Sequence, residues 1–477
     1  LWSAICLAEG FRIFAPEPPL TARQRQSALE LFIEQLRGLA TPPAPRPERL
    51  GLLEVLADMR TFMLAFDCEG HQEELITSLV SACLAASRAD ENGVLESTLA
   101  RLLADVLGEC DDVPEAALRA LIAELTTAPR RRGGQHRPGD LVRRALGSLA
   151  HRNAALPINE FINRSLYGEA AGDQEAPAPV ENDEELAESS MAVGQRRDAL
   201  FRAVFELYVI APQLVSRVVP HLHADLLCKD PLRRRAVTFL VGRLLAHCPA
   251  GHVAGVGQEP LIERHPLLFD RHLERVEDPD EGVRLSAWDG AKELLAATAA
   301  AADAEIEVGP ALRAAAERIA QRLVERSLDP SEEVRLKVVV VAGEVAGASP
   351  GGLALLAAAL PGICGRILDK RPRVREASAE IAARLFAKHA LPHIAAQGLV
   401  GLEDLMWAPR LLCEAFNIFA QGRCGHGARI EELLEQHLLG CGAKEFGPVQ
   451  RAHALAAVCG AAFADGPSAA GLALLLA

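Results

Sequence analysis

Apolar residues recur along this chain at steps of three and four, the spacing that places them on one face of a helix. Leu29, Phe32, Ile33 and Leu36 share such a face. After a Pro-rich break at 41–49, Leu52, Leu56, Met59, Met63 and Phe66 read as a continuous helical face. Two further faces follow: Leu75, Ile76, Leu79 and Cys83, then Leu95, Leu99, Leu102 and Val106. Leu118, Leu121, Ile122 and Leu125 follow Pro114, which suits the first turn of a helix because it lacks the N–H that would go unpaired there. This pattern predicts helices of about 12–17 residues joined by short loops, and such neighbours pack as antiparallel hairpins.

Two segments interrupt the pattern. Pro129–Asp140 (PRRRGGQHRPGD) is basic and Gly-rich. Gly168–Ser190 is acidic, rich in Pro and Ala and poor in large apolar residues. Such a segment buries too little surface to offset its ordering entropy, so a disordered insert is expected over 168–195. Helical repeats are expected on either side of it, at 1–167 and 196–477.

The second half repeats openly. Asp278-Pro279 is followed by Val283-Arg284, Asp329-Pro330 by Val334-Arg335, and Asp369 by Val374-Arg375, with Val five and Arg six residues after each Asp. Asp230-Pro231 is a degenerate copy, with Arg233, Arg234 and Arg235 but no Val in register. The starts lie 51 and 40 residues apart, close to the ~40–47 of HEAT-type repeats. In this reading Asp caps the second helix of a repeat, Pro occupies its first turn, and Val enters the core. Arg reaches the Asp of a neighbouring repeat. Asp278, Arg284, Asp329, Arg335, Asp369 and Arg375 would then form a structural ladder. The expected fold is all-α, a HEAT/armadillo-type α–α superhelix.

Composition strengthens that reading. Half of the 477 residues are hydrophobic but only 4% are aromatic, and Ala and Leu, both strong helix formers, dominate. The net charge of −14 argues against a generic nucleic-acid binder. The cysteines show no regular spacing, and most sit in apolar helical patterns, as reduced core thiols do. No apolar run reaches the ~18 residues of a membrane span. The chain starts at Leu1 inside what reads as a helix, so a piece of a longer protein is expected.

No catalytic constellation stands out. Gly347-Ala348-Ser349-Pro350-Gly351 matches the nucleophile-elbow pattern, but the Val338–Val341 run before it continues a repeat helix and does not lead directly into the serine, so it reads as an inter-repeat loop. His247, Cys248 and His252, with His221, His223 and Cys228 upstream, fit no standard zinc spacing. No metal and no enzymatic activity are expected. Arg130, Arg131, Arg132, His136, Arg137, Arg143 and Arg144 form the one concentrated basic patch. It reads either as a solvated loop or as a polyanion contact, to a DNA backbone or an inositol phosphate held as a structural ligand.

The opening residues carry a resemblance beyond periodicity. Cys6–Thr21 (CLAEGFRIFAPEPPLT) resembles a hallmark stretch of the Pds-five sister chromatid cohesion family, a helix ending in Tyr or Phe followed by an Ala-Pro-Asp/Glu-Ala-Pro-Tyr-Thr loop. Gln35–Leu39 and Leu52–Ala57 resemble the family's next blocks. Thr238–Leu245 and Leu368–Arg375 resemble its repeat signatures, so the similarity runs in order from Leu1 to about Phe419. Pro18 stands where the family usually has Ala and Leu20 where it has Tyr, and the acidic insert after Gly168 is foreign to the family's pattern. The resemblance implies a HEAT-repeat regulator of cohesin in the nucleus, on chromosomes. Its partners would be the kleisin subunit and the factors that release or protect the cohesin ring, with chromatin reached through cohesin. It also implies that Phe14, Ala15, Pro16, Glu17, Pro18 and Pro19 form a partner-docking loop. A different HEAT scaffold, such as a nuclear transport receptor or a phosphatase scaffold, would share the Asp-Pro and Val-Arg repeats but would not need that loop.

Overall fold

The computed structural model describes residues 1–477 apart from 16–17, 42–46, 91, 111, 128–138, 150–154, 168–182, 248–258, 307–308, 391, 393–404, 421–424, 439–454, 457–458 and 461–477. The described residues contain helices and turns and no strand. They fall into two compact units, Leu1–His221 and Leu222–Ala477.

The first unit contains α1 (Trp2–Ile13), α2 (Ala22–Arg37), α3 (Pro47–Asp58), α4 (Gln72–Ala89), α5 (Glu96–Glu109), α6 (Glu115–Thr127), α7 (Asp140–Leu149), α8 (Ala155–Tyr167) and α9 (Asp183–Ile210). Packing alternates: α2, α4 and α6 lie side by side, and α3, α5 and α7 do the same. This two-layer stacking is how short-linked amphipathic helices bury a continuous core. Leu29, Phe32, Ile33 and Leu36 are all buried, as their shared face requires. Local sequence starts α2 sharply, because Thr21 and Gln24 form a reciprocal capping box.

Two expectations change here. The face running through Leu52 and Phe66 is not one helix. α3 ends at Asp58, Arg60 turns into the left-handed region (φ 50°), and a 3-10 segment covers Thr61–Asp67. The apolar spacing survives the break because Phe62 and Ala65 are buried in the same core. The disorder expected over 168–195 also fails in its second part, since α9 already begins at Asp183, while residues 168–182 lie outside the described residues. Glu, Leu, Ala and Met dominate 183–191, and their helix propensity prevails over low hydrophobicity. Nor does a compact unit end there. Asn159 of α8 donates to the Gln213 carbonyl and accepts from the Arg217 N–H, both at 3.0 Å, so one core includes residues from both sides of the segment.

The second unit contains α10 (Val219–Asp225, which begins at the end of the first), α11 (Pro231–Ala246), α12 (Leu261–Arg264), α13 (Pro266–Glu274), α14 (Glu281–Asp303), α15 (Pro310–Arg326), α16 (Glu332–Ala348), α17 (Pro350–Leu356), α18 (Leu360–Cys364), α19 (Pro372–Leu385), α20 (Trp407–Ala420) and α21 (Gly425–Leu433). One layer runs α11–α14–α16–α19, backed by α13, α15 and α18. The fold is the HEAT-type all-α repeat. α11 and α14 cross at glycines: a Cβ on Gly242 would lie 2.4 Å from the Gly290 Cα. The fully buried ring of His272 closes this crossing, and neither of its nitrogens has a hydrogen-bond partner among the described residues. Burial, reinforced by Arg275, pushes His272 down to about 4, so it is neutral near pH 7. No single described helix is long and apolar enough to cross a membrane.

Candidate docking surface and the buried ladder

At the end of α1, Phe11 turns inward against Phe32, with ring centroids 5.7 Å apart. The next residues turn outward: Ile13 is 73% and Phe14 53% exposed, and Ala15 is exposed. The Phe14 N–H donates to the Gly10 carbonyl and ends the helix. Pro16 and Glu17 lie outside the described residues. Pro18 is buried and Pro19 exposed, and the Leu20 N–H donates to the Pro18 carbonyl at 2.7 Å just before the Thr21 cap. Pro18, expected among the partner contacts, therefore anchors the loop instead. Its buried ring fixes the backbone between two helices and offers little to a partner.

Sequence reasoning missed Trp2 and Ile13. Counted at 100° per residue, Trp2, Cys6 and Ile13 fall on one side of α1, and all three are exposed, Trp2 at 69%. With Phe14 they extend the apolar edge beyond the loop. The signal was present, since α1 has apolar residues all round and only one side can be buried.

Arg130, Arg131, Arg132 and Arg137 lie outside the described residues. Arg143 and Arg144 are already matched by carboxylates. Arg143 donates to Asp140 at 3.1 Å and Glu206 at 2.9 Å, and Arg144 lies 2.5 Å from the buried Glu96. Ser349 is a helix cap, accepting from the Gly352 N–H at 3.2 Å. Among the described residues no three His, Cys, Asp or Glu side chains gather as metal ligands; Cys248 and His252 lie outside them.

The repeat residues form a ladder. Each Arg donates to backbone carbonyls at the start of its own helix and to the buried Asp of the next repeat. Arg234 holds Asp278 bidentately at 3.0 and 2.8 Å, and Arg335 holds Asp369 at 2.8 and 3.0 Å. Arg284 to Asp329 is looser, at 3.3 Å. Each Asp also accepts the N–H two residues on, from Asp280, Ser331 and Arg371. Burial pushes Asp278 up, but Arg234, the Asp280 N–H and Arg275 outweigh it and hold the carboxyl below its ordinary value. Asp369 is lowered in the same way against burial, by Arg335, the Arg371 N–H and Arg366.

This geometry corrects the register. The ladder Asp does not cap its helix; Asp280 and Ser331 do, by accepting from Val283 and Val334. Pro279 and Pro330 therefore precede the cap and do not occupy the first turn. The degenerate copy starts at Cys228, not Asp230. Arg234 donates to the Cys228 carbonyl as Arg284 does to that of Asp278, and Asp230 is the cap. Arg233 stands where the other copies have Val, which explains the missing register. At the far end Arg375 meets no Asp of a following repeat among the described residues. It donates to the Asp369 carbonyl at 2.8 Å, and its guanidinium lies 5.5 Å from the centre of the Phe419 ring.

The family model described as sister chromatid cohesion protein PDS5 matches residues 1–462. The mouse sister chromatid cohesion protein PDS5 homolog A is 27% identical over 439 residues, covering 91% of this chain and 29% of the relative. The Arabidopsis thaliana PDS5 homolog A is 26% identical over 410 residues, covering 85% of this chain and 22% of the relative. This chain thus spans less than a third of these relatives. Among solved structures, a chain from the Pds5–Scc1 complex superposes with a TM-score of 0.62 at 17% identity, over 96% of this chain and 62% of that one.

Proposed function

The chain belongs to the sister chromatid cohesion protein PDS5 family, and on that premise we propose that it is a non-enzymatic cohesin regulator that docks kleisin and the release or protection factors of the ring. The match over residues 1–462, spanning both units, carries this reading. On this reading the protein acts in the nucleus, on chromosomes through cohesin. Partner segments lie against the apolar edge of Trp2, Ile13 and Phe14 and the loop that follows. Covering an exposed aromatic or aliphatic side chain contributes roughly 1.5–3 kcal/mol. The described end of the loop is tied down at Pro18 and Thr21, which lowers the entropic cost of docking there. Release and protection factors compete for this one edge.

The test is a pull-down of kleisin and of release factors by the chain, with Phe14→Ser and a double variant at Pro16 and Glu17. Loss of the release factors is expected. Unchanged capture of every partner would overturn the docking-loop reading. The basic loop at 129–140 is proposed to hold an inositol phosphate between scaffold and partner. Neutralising Arg130–Arg132 should abolish retention of inositol hexakisphosphate in equilibrium dialysis, and intact retention would place the ligand elsewhere.

A further inference from the structure

Every helix of the ladder layer starts the same way. The ladder position lies three residues before the first helical residue and the arginine three residues after it. Cys228 and Arg234 flank Pro231, Asp278 and Arg284 flank Glu281, Asp329 and Arg335 flank Glu332, and Asp369 and Arg375 flank Pro372. In the next repeat α21 begins at Gly425, so the ladder position falls on Gly422 and the arginine position on Ala428. Gly422 lies outside the described residues, but a glycine has no carboxylate to offer. The four residues between α20 and α21, Gln-Gly-Arg-Cys, include no acid. The chain thus supplies a fourth ladder arginine without a fourth carboxylate.

Arg375 is nonetheless prepared like the others. Its Nη1 donates to the Asp369 carbonyl at 2.8 Å, as that of Arg335 does to the Asp329 carbonyl at 2.9 Å. In Arg234 and Arg335 the edge formed by Nε and Nη2 then grips a carboxylate. In Arg375 that edge forms no hydrogen bond or ion pair with a described residue, and its Nε is buried without a partner. The other contact of the guanidinium is the Phe419 ring, which it overlies at 5.5 Å. Stacking occupies the face of a guanidinium and leaves its in-plane donors free. The Asp369 carboxylate is already held by Arg335. Two exposed leucines lead to this place. Arg335 bridges the Asp329 carbonyl and the Asp369 carboxylate, so the turns that hold them are neighbours. Leu328 and Leu368, each immediately before one of these Asp residues, are 65% and 44% exposed. Lys370 is exposed too and pairs with no described residue.

We propose that Arg375 is a carboxylate-binding site, completed by an Asp or Glu side chain from an extended acidic and apolar segment of a partner protein. Neighbouring helices in such a layer lie about 8–10 Å apart, the span of about three residues of extended chain. A segment with apolar residues at i and i+3 and an acid near i+6 covers Leu328 and Leu368 and sets its carboxylate on the open edge of Arg375. The partner then supplies the rung that Gly422 cannot. A small free carboxylate would fill the same edge but leave both leucines in water. The site lies within the second unit and is independent of the Phe14 edge.

The test is a selection of phage-displayed peptides on the full chain, with counter-selection on Arg375→Gln. If that variant does not match wild type in far-UV CD and melting temperature, the exposed Leu368→Ser takes its place. Enriched peptides should carry an acid about three residues from a large apolar residue. Made synthetically with a fluorescein label, they should bind with an affinity that falls with salt. Replacing the acid by its amide should weaken binding about tenfold or more, because a charge-assisted bidentate contact is lost. Arg375→Lys keeps the charge but not the planar fork, and it should cost about tenfold, as should Leu368→Ser. Phe14→Ser should change nothing. No peptide that distinguishes wild type from the counter-selected variant, binding indifferent to the amide, or unchanged affinity in either Arg375→Lys or Leu368→Ser would overturn the proposal.

Discussion

The two units use the same kind of helix but secure it with ion pairs of different character. In the first, cross-helix pairs such as Arg60–Asp105 and Arg101–Asp58 leave their guanidinium in water. In the second, Arg234–Asp278, Arg284–Asp329 and Arg335–Asp369 bury both ends almost completely. An exposed pair contributes little, because water replaces either partner at small cost. A buried pair is different: its net contribution is modest, but removing one end strands a charge that water cannot reach. The second unit therefore gains register and rigidity from its rungs. The first unit carries an exposed apolar edge that a partner can cover.

The strongest way to break this comparison is to remove one end of a rung. Asp329→Ala should destabilise the second unit by about 3–5 kcal/mol, because Arg284 is left buried without its carboxylate. Asp58→Ala in the first unit should cost no more than about 1 kcal/mol. Urea denaturation followed by circular dichroism checks both, and equal effects would remove the distinction between the units.

Acid should act next. His272 has a folded pKa of about 4 against about 6.5 unfolded. A depressed folded value means stability is fully present above about 6.5 and is lost as pH falls toward 4, by up to about 3 kcal/mol. Asp278 and Asp369 are also depressed, so their contribution is lost only at lower pH, as it falls below the ordinary carboxylate value toward the folded one. Denaturation midpoints of wild type and His272→Gln at pH 7 and pH 5 separate the two effects; the variant should lose most of the slope between those pH values. An unchanged slope would show that His272 does not titrate at the crossing.

Glycine replacement should then give opposite signs in the two units. Gly242→Ala forces a Cβ against the Gly290 backbone and should cost about 1–3 kcal/mol. Gly10→Ala in α1 meets nothing within 4 Å and should stabilise by about 0.5–1 kcal/mol. Melting temperatures decide the signs, and a loss at Gly10 would mean that α1 packs more closely than it does here. The smallest effect is expected at Phe14. Phe14→Ser should change stability by less than about 0.5 kcal/mol while weakening partner capture. A large stability loss would make Phe14 a core residue rather than a contact.

Much of the exposed apolar edge was legible because it is local. Phe14 and Ala15 follow a helix and precede a Pro-rich loop with a Thr cap, and nothing distant is needed to infer a turn there. Pro18 was misjudged because its burial is a matter of packing, which the residues beside it in the sequence do not display. Arg143 and Arg144 look like free cations in sequence, yet Glu206 lies 63 residues beyond Arg143 and Glu96 well before Arg144. Charge runs report composition, while pairing depends on which helices become neighbours.

By itself the sequence determined that this chain is helical, where most helices begin, and that a unit of 40–51 residues recurs in its second half. These follow from side-chain period, capping and propensity, all acting within a few residues. Tertiary structure decided the rest. It placed the first rung at Cys228 and not at Asp230, set Gly242 against Gly290 with His272 closing the crossing, and turned Asp278 from a helix cap into a buried partner for Arg234. The physical reason is distance along the chain. Arg234 and Asp278 are 44 residues apart, and only the stacking of one repeat on the next brings them within reach.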